Sequence, residues 1–282
     1  MQRKVALFLL LVLFLSITLP TTISATSIEK EKRELLTTLG FDHKLSTAVE
    51  QEIFDTYKDV FDYKNARSGS LQTIYYEVKL KNQEEMIKNV NATPITEWRQ
   101  VSEEEALISA RDYDPGRPYN WIKFTMQSTI SGDKVIYKTF FQWLKQPHYK
   151  MEDAMAIGVS NNLTISRDHT MLVYSRLENY GGGTEWYPLE DTYKAPHIDA
   201  GGHSIKFKLV KGPNRDINHL QGYMTVLAEK RVPSAPYQSY EAFGAYVHQE
   251  LGFTIGISIP LGGSISVNGT HDKATATVKD DF

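Results

Sequence analysis

The residues with the clearest capacity for metal chemistry lie in the segment from His197 to His203, which reads HIDAGGH. If this segment begins as a strand, His197 and Asp199 share a face, because side chains alternate along a strand. A Gly-Gly turn could then bring His203 back toward them. Two imidazoles and a carboxylate can bind zinc or iron, so these three residues are a candidate divalent-metal site. The same spacing is also typical of a surface turn with two unrelated histidines, in which case no cofactor is expected.

A second candidate site is the glycine-rich segment YGGGTEWYP, which ends in paired aromatic residues. Glu185, Trp186 and Tyr187 combine a carboxylate with two rings that could stack on sugars, and they are the candidate ligand-binding residues. The alternative is that Trp186 and Tyr187 close the end of a β-sheet core, with the glycines forming a tight turn.

Aromatic and acidic residues also cluster in the stretch FQWLKQPHYKMEDAMAIGV, at residues 141–159. Pro147 has no amide hydrogen to donate and therefore ends the first strand of this stretch. The second strand begins near residue 154. The pattern predicts a sheet corner in which Trp143 is buried, while Glu152 and Asp153 are solvated or cap the turn.

Familiar catalytic motifs are missing from the sequence. It contains no G-x-S-x-G, no H-E-x-x-H and no phosphate-binding glycine loop, and it contains no cysteine. We therefore predict no catalytic residues, and the sequence favours a binding protein over an enzyme while leaving an enzyme as an alternative.

The periodicity of the chain predicts a mainly β fold that follows a helical N-terminal segment. Residues 29–62 indicate two helices, with Leu39-Gly40-Phe41 as a glycine C-cap between them and Thr47 and Glu50 at capping-box spacing. Residues 102–110 indicate one further short helix. Strands are predicted at 71–80, 121–130, 135–144, 154–159, 163–166, 171–177, 204–211, 223–229, 240–250, 253–259, 264–267 and 274–278.

Short turns separate many of these strands. Residues 131–134 predict a hairpin turn, and residues 260–263 and 268–271 are the expected turns between the last three strands. Many strands with glycine-rich turns are typical of an antiparallel β-sandwich or a barrel-like fold. We therefore expect a signal peptide at 1–25, a helical segment at 26–66 packed on the main domain, and an all-β domain at 71–282.

The first 25 residues have the layout of a secretory signal peptide. Arg3 and Lys4 precede an apolar run, and Ile23-Ser24-Ala25 supplies a small residue at the cleavage point. Removal of this segment leaves 29 basic and 34 acidic residues, a net charge of −5. This charge argues against nucleic acid as the main partner. The absence of cysteine is typical of a secreted protein of a Gram-positive bacterium, with no transmembrane segment once the signal is removed.

The last quarter of the chain allows a different function. Segments such as GISIPLGGSISVNG alternate apolar with small or hydroxyl residues. Pore-forming hairpins need one lipid-facing and one water-facing side, but a sheet with one solvated face shows the same alternation. A pore-forming or membrane-active exoprotein is therefore the first alternative function, and a metal-dependent hydrolase is the second.

One block of the sequence resembles uncharacterised secreted proteins of Bacillus-like Gram-positive bacteria. The block consists of Phe141, Trp143, Leu144, Pro147, Asp153 and Ala156-Ile157-Gly158. Leu39-Gly40-Phe41 resembles the Leu-Gly-Phe or Leu-Gly-Met turn of those proteins, and the similarity covers residues 34–165. The resemblance implies an exported, soluble, mostly β protein. It implies no activity, so no functional residues are carried over from it.

These observations together favour an exported, non-catalytic binding or interaction protein. Export, the aromatic content of 11% and the lack of a catalytic motif make an extracellular glycan or another cell-envelope component the expected ligand. The sequence leaves the oligomeric state open.

Overall fold

The computed structural model describes residues 26–41, 45–89, 96–111, 119–145, 147, 152–180, 187–209, 215–234, 239–249, 255–268 and 273–281. The predicted signal peptide at 1–25 lies outside these residues, as do Glu185 and Trp186. The chain divides into two compact units, with the boundary between Asn65 and Ala66. In the part of the chain that is described, no helix is both long enough and apolar enough to cross a lipid bilayer.

The first unit contains the two predicted helices, α1 (26–38) and α2 (Thr47–Tyr57), and a 3-10 turn at Tyr63–Asn65. Gly40 has φ 68°, and the amide of Phe41 donates to the carbonyl of Leu36 at 2.9 Å. The glycine C-cap is therefore confirmed. The α2 N-cap lies one residue earlier than predicted, because the hydroxyl of Ser46 accepts from the amide of Val49 at 3.4 Å.

The second unit consists of strands and two short helices. The helices are α3 (Gln83–Lys88) and α4 (Glu103–Arg111). The first strands are β1 (Arg67–Leu80), β2 (Thr96–Val101), β3 (Tyr119–Ser131), β4 (Lys134–Trp143), β5 (Glu152–Val159), β6 (Leu163–Tyr180) and β7 (Tyr187–Tyr193). They are followed by β8 (His197–Asp199), β9 (Gly202–Lys208), β10 (Arg215–Lys230), β11 (Ser239–His248), β12 (Gly256–Ser258), β13 (Ser266–Asn268) and β14 (Lys273–Asp281).

Two large antiparallel sheets form a sandwich in this unit. The first has the strand order β2-β1-β3-β4-β10-β6-β7, and the second has the order β14-β11-β5-β9-β8. The predicted mainly β, antiparallel sandwich is confirmed. The barrel-like alternative is not observed among the described strands, because β2, β7, β8 and β14 each end a sheet.

The main core lies between the two sheets and draws on alternate residues of both. Phe141 of β4 is fully buried and stacks on Tyr246 of β11 with ring centroids 4.4 Å apart, and on Phe207 of β9 at 5.7 Å. Trp143 lies on the same face of β4 and is also buried. The predicted common face of Phe141 and Trp143 is therefore confirmed, and the expected hairpin of β3 and β4 pairs Ser131 with Lys134.

The elements that sequence analysis missed are mostly edge strands. Residues 82–100 carry mixed signals in the sequence, and they include α3 and the start of β2. Strands β2, β7 and β8 have polar sequences, because an edge strand needs few core-facing apolar residues. The two strands predicted at 163–166 and 171–177 form the single strand β6, because β10 pairs along its whole length despite local register shifts.

The C-terminal strands belong to two different sheets. Strands β12 and β13 form a small hairpin across the turn at residues 260–263, as expected. Strand β14 pairs with β11 and not with β13, and most of the expected turn at 268–271 lies outside the described residues. The physical reason lies in packing, because Ile255 and Ile259 on either side of β12 pack against Ala154 and Ala156 on the outer face of β5. The alternating sequence therefore covers a sheet face here, while the membrane-active alternative stays a prediction.

Candidate functional site

A cavity of about 170 Å³ lies where three turns meet at one end of β5. We call it the corner cavity. The turns are the β5–β6 turn at 160–162, the β8–β9 turn at 200–201 and the β12–β13 turn, and the start of β6 forms a further wall. The described polar residues that line it are Ser160, Asn161, Thr164, Asp199, His203 and Arg231. Ile165, Ile198 and Leu261 supply aliphatic surface beside them.

Glycines hold these turns in direct backbone contact. The amide of Gly201 donates to the carbonyl of Ile259 at 2.9 Å, and the carbonyl of Gly201 accepts from the amide of Val159 at 2.9 Å. A Cβ on Gly201 would lie 1.9 Å from the carbonyl oxygen of Pro260, and a Cβ on Gly158 would lie 2.0 Å from that of Gly263. Only glycine permits such an approach, so the walls of the corner cavity are fixed by the backbone.

His203 lies on the core face of β9 and is 3% exposed. Its Nδ1 is 2.7 Å from the hydroxyl of Thr170, which in turn donates to the carbonyl of Ser166 at 3.3 Å. The assignment that satisfies both contacts has the Thr170 hydroxyl donating to Ser166 and Nδ1 of His203 donating to Thr170. Nε2 is then the nitrogen with a free lone pair, and it has no hydrogen-bond partner among the described residues.

The imidazole of His203 is neutral at pH 7. Burial, reinforced by the positive charge of Arg167, lowers the pKa of His203 from 6.5 to about 4. Burial disfavours the charged imidazolium because water no longer solvates it. The corner cavity therefore presents an imidazole acceptor rather than a cation.

The three residues of the predicted metal set do not converge on one point. His197 and Asp199 share a face as expected, with Nε2 and Oδ1 3.4 Å apart, and His197 is exposed. His203 pairs with Ile198 across the β8–β9 turn, so its side chain takes the opposite face of the sheet. Asp199 also accepts from the amide of Ile259 at 2.8 Å. Among the described residues, no group of three or more His, Asp or Glu side chains is arranged to hold a metal ion.

The predicted aromatic ligand site is only partly within the described chain. Tyr187 begins β7 at the edge of the seven-stranded sheet and is 46% exposed. It pairs with Glu178 of β6 and does not line the corner cavity. Glu185 and Trp186 lie outside the described residues, so the proposal that the three residues bind a ligand together stays a prediction.

A buried polar cluster lies at the other end of β5. It consists of Trp143, Asp153, Tyr246 and His248, none of which is more than 4% exposed, and we call it the Asp153 cluster. The indole Nε1 of Trp143 donates to the Tyr246 hydroxyl at 2.8 Å, and that hydroxyl donates to Asp153. Nδ1 of His248 lies 2.8 Å from the other carboxylate oxygen. Burial, reinforced by the Asp153 charge, raises the pKa of Tyr246 well above its ordinary value.

The expectation for Asp153 is therefore wrong, since its side chain is fully buried and not solvated. Its partners come from β11, about 95 residues further along the chain, so the pairing is invisible in the local sequence. Trp143 is buried as expected. Because all four side chains are enclosed, the Asp153 cluster supports the fold and is not the ligand site.

A second buried charge network was also missed. Arg176 of β6 donates to Glu178 at 2.6 Å and to Asp191 of β7 at 2.5 Å, and its guanidinium lies 5.0 Å from the centroid of the Tyr174 ring. Arg176 and Glu178 are two residues apart and share the core face of their strand. Two opposite charges at this spacing within an apolar strand were the sequence signal that could have predicted the buried pair. Ser160, Asn161 and Arg231 carried no comparable signal, because separate turns bring them to the corner cavity.

We expect acid to destabilise the fold through His203. The folded pKa of about 4 lies below the ordinary value near 6.5, so the unfolded chain takes up the proton first as the pH falls. The contribution of neutral His203 to stability is therefore complete above pH 6.5 and is lost between about pH 6.5 and 4. Urea unfolding of the wild type and of His203→Asn measures this, and the difference between their midpoints should shrink over that range. An NMR titration in which His203 titrates near its ordinary value contradicts the prediction.

Comparisons with known proteins identify no family for this chain. No protein-family model matches it, and a search of curated proteins finds no match. Among solved structures, it is similar to a collagen-binding domain from a Staphylococcus aureus adhesin, with 9% identity and a TM-score of 0.25, over 51% of this chain and 88% of that one. It is also similar to AvmM, which catalyses macrocyclization in alchivemycin A biosynthesis, with 14% identity and a TM-score of 0.22, over 52% and 80% of the two chains. At these TM-scores, neither likeness carries an argument about what this chain binds or catalyses.

Proposed function

We propose that this protein is an exported, non-catalytic binding protein and that its ligand, a glycan or another cell-envelope component, enters the corner cavity. One observation carries the proposal, namely a polar cavity with fixed walls and an apolar rim. Concave sites with aliphatic walls and a few placed polar groups are the usual form of small-ligand sites.

The rim is unusually apolar for a solvent-facing surface. Ile198 is 40% exposed and Leu261 is 58% exposed, and both line the corner cavity. Val232, which follows the lining residue Arg231, is 54% exposed. Exposed apolar residues that are grouped beside polar ones are typical of binding sites. A ligand that covers them gains hydrophobic contact in addition to its hydrogen bonds inside.

The fixed walls favour binding for a separate reason. Association costs free energy when loops and side chains must be ordered, and a preformed site avoids much of that cost. Here the turns are joined by backbone hydrogen bonds that involve Gly201, Ile259 and Val159. Ser160 is held in the same way, since its hydroxyl accepts from the amide of Glu241 at 3.2 Å and donates to Asn162 at 2.5 Å.

Retention on isolated cell-wall fragments and on a polysaccharide panel tests the proposal. Ala200 is exposed and lines the corner cavity, so Ala200→Trp should fill the entrance without disturbing the core. We expect this variant to lose retention at least tenfold. Leu71→Trp is the matched control, because Leu71 is 66% exposed on β1 and away from the cavity, and it should be retained like the wild type.

Two results would contradict the proposed function. Equal retention of Ala200→Trp and wild type would show that the ligand binds elsewhere. Failure of the wild type to be retained on any fraction would remove the binding role altogether. Circular dichroism of each variant confirms that the fold is intact before retention is compared.

A further inference from the structure

The described lining of the corner cavity has balanced charge. Asp199 and Arg231 are its only described residues that are charged at pH 7, and they carry opposite charges. His203 adds none, because its imidazole is neutral. A charged ligand would meet one opposite and one like charge and would also lose its hydration on entry. A neutral ligand therefore has the smallest desolvation cost.

The polar groups that remain for a ligand include both donors and acceptors. Nε2 of His203 is an acceptor because Nδ1 carries the proton. Asn161 and Thr164 are exposed on the cavity wall, and their side chains have no hydrogen-bond partner within the described part of the chain. An amide and a hydroxyl each donate and accept. Arg231 donates to the carbonyl of Leu163 at 3.2 Å and has further N–H groups.

Such a mixed set suits ligand groups that both donate and accept, and the hydroxyl groups of a sugar ring do both. Each hydroxyl donates once and accepts through its lone pairs, so neighbouring hydroxyls on a ring can satisfy Nε2 of His203, Asn161 and Thr164 together. The C–H face of the same ring can pack on Ile198 and Leu261 at the rim. The volume of about 170 Å³ is below the roughly 300–1,000 Å³ of sites for drug-sized ligands, so the cavity accommodates one small unit.

We infer that the corner cavity binds a single neutral sugar unit of a larger glycan, with a ligand hydroxyl donating to Nε2 of His203. This inference rests on the proposed function and narrows its ligand to one chemical class. It assigns to His203 the role of a positioning residue, because its acceptor orients the ligand hydroxyl that donates to it.

Two variants of His203 distinguish the hydrogen bond made by Nδ1 from the one proposed for Nε2. The side-chain amide of Asn reaches the position of Nδ1, so His203→Asn can keep the hydrogen bond to Thr170 while removing the acceptor at Nε2. The longer Gln side chain places its amide oxygen near Nε2, so His203→Gln can restore that acceptor. Loss of one neutral hydrogen bond corresponds to about a tenfold weaker affinity. We expect that loss in His203→Asn and partial recovery in His203→Gln.

Ligand-observed NMR on the full chain tests the inference directly. The probes are methyl glycosides of neutral hexoses, an N-acetylhexosamine, glucuronic acid and glucosamine, the last being a cation at pH 7. We expect saturation transfer to neutral sugars, its suppression by Ala200→Trp, and about tenfold weaker binding in His203→Asn. Urea unfolding of each variant verifies that the protein is folded.

The outcomes distinguish this inference from the function on which it rests. If only glucuronic acid or only glucosamine binds, the inference that the ligand is a neutral sugar is wrong. The absence of a saturation-transfer signal from every sugar would also contradict it. In either case, cavity-dependent retention on wall fragments would leave the proposed function standing. Equal binding by His203→Asn and wild type overturns the role of His203 even if neutral sugars bind. Loss of wall retention in the wild type overturns the proposed function itself.

Discussion

Replacing Asp153 with alanine is expected to lower the free energy of unfolding by about 2–6 kcal/mol, because two buried donors lose their acceptor. The carboxylate is fully buried and accepts from the Tyr246 hydroxyl and from His248. Its removal leaves both donors enclosed without an acceptor, and an unsatisfied buried polar group costs about 1–3 kcal/mol. Urea unfolding followed by tryptophan fluorescence measures the change, because Trp143 belongs to the cluster.

Glu152→Ala is the matched control for Asp153→Ala. Glu152 is the adjacent carboxylate at the start of β5, and its side chain is half-buried on the other face of the strand. A substitution there should change stability by no more than about 0.5 kcal/mol. Asp153→Asn keeps the volume but places an amide donor against a donor, so its effect should fall between the two. Similar losses for Glu152→Ala and Asp153→Ala would show that the buried network does not stabilise the fold.

Gly158→Ala is expected to cost about 3 kcal/mol, at the upper end of the range for overpacking. A Cβ at this position would lie 2.0 Å from the carbonyl oxygen of Gly263, and its next nearest atoms are also backbone. Backbone cannot rotate away as a side chain can, so the strand and the β12–β13 turn must separate. Because Gly158 and Gly263 are next in sequence to the lining residues Val159 and Gly262, binding should weaken together with stability, as urea unfolding and wall retention would measure.

Gly132→Ala is the matched control for Gly158→Ala, because it tests the cost of backbone conformation at a glycine that has no close contact. Gly132 lies in the β3–β4 turn with φ +59°, and a Cβ there would have no atom within 4 Å. Its cost should therefore be only the penalty of the left-handed conformation, about 1–2 kcal/mol, and wall retention should be unchanged. If Gly132→Ala destabilises the protein more than Gly158→Ala does, the close approach of the two backbones is not what requires glycine at 158.

Sequence reasoning succeeded for the site where the signal was local. The alternation of a strand put His197 and Asp199 on one face, as predicted. It failed for His203, because the register across the β8–β9 turn pairs His203 with Ile198 and reverses its face. A one-residue change of register flips every side chain of a strand. The same reasoning could not find Arg231, which reaches the corner cavity from the far end of β10.

The sequence by itself determined the mainly antiparallel β architecture, the helical start and several tight turns. Each depends on residues that are close in the chain, such as the glycine C-cap at Gly40 and the hairpin turn at residues 131–134. Only the tertiary structure decided that β14 pairs with β11, that Asp153 is enclosed, and that three turns surround one cavity. These features depend on which distant segments meet, and that choice is made by the packing of whole sheet faces rather than by local propensity.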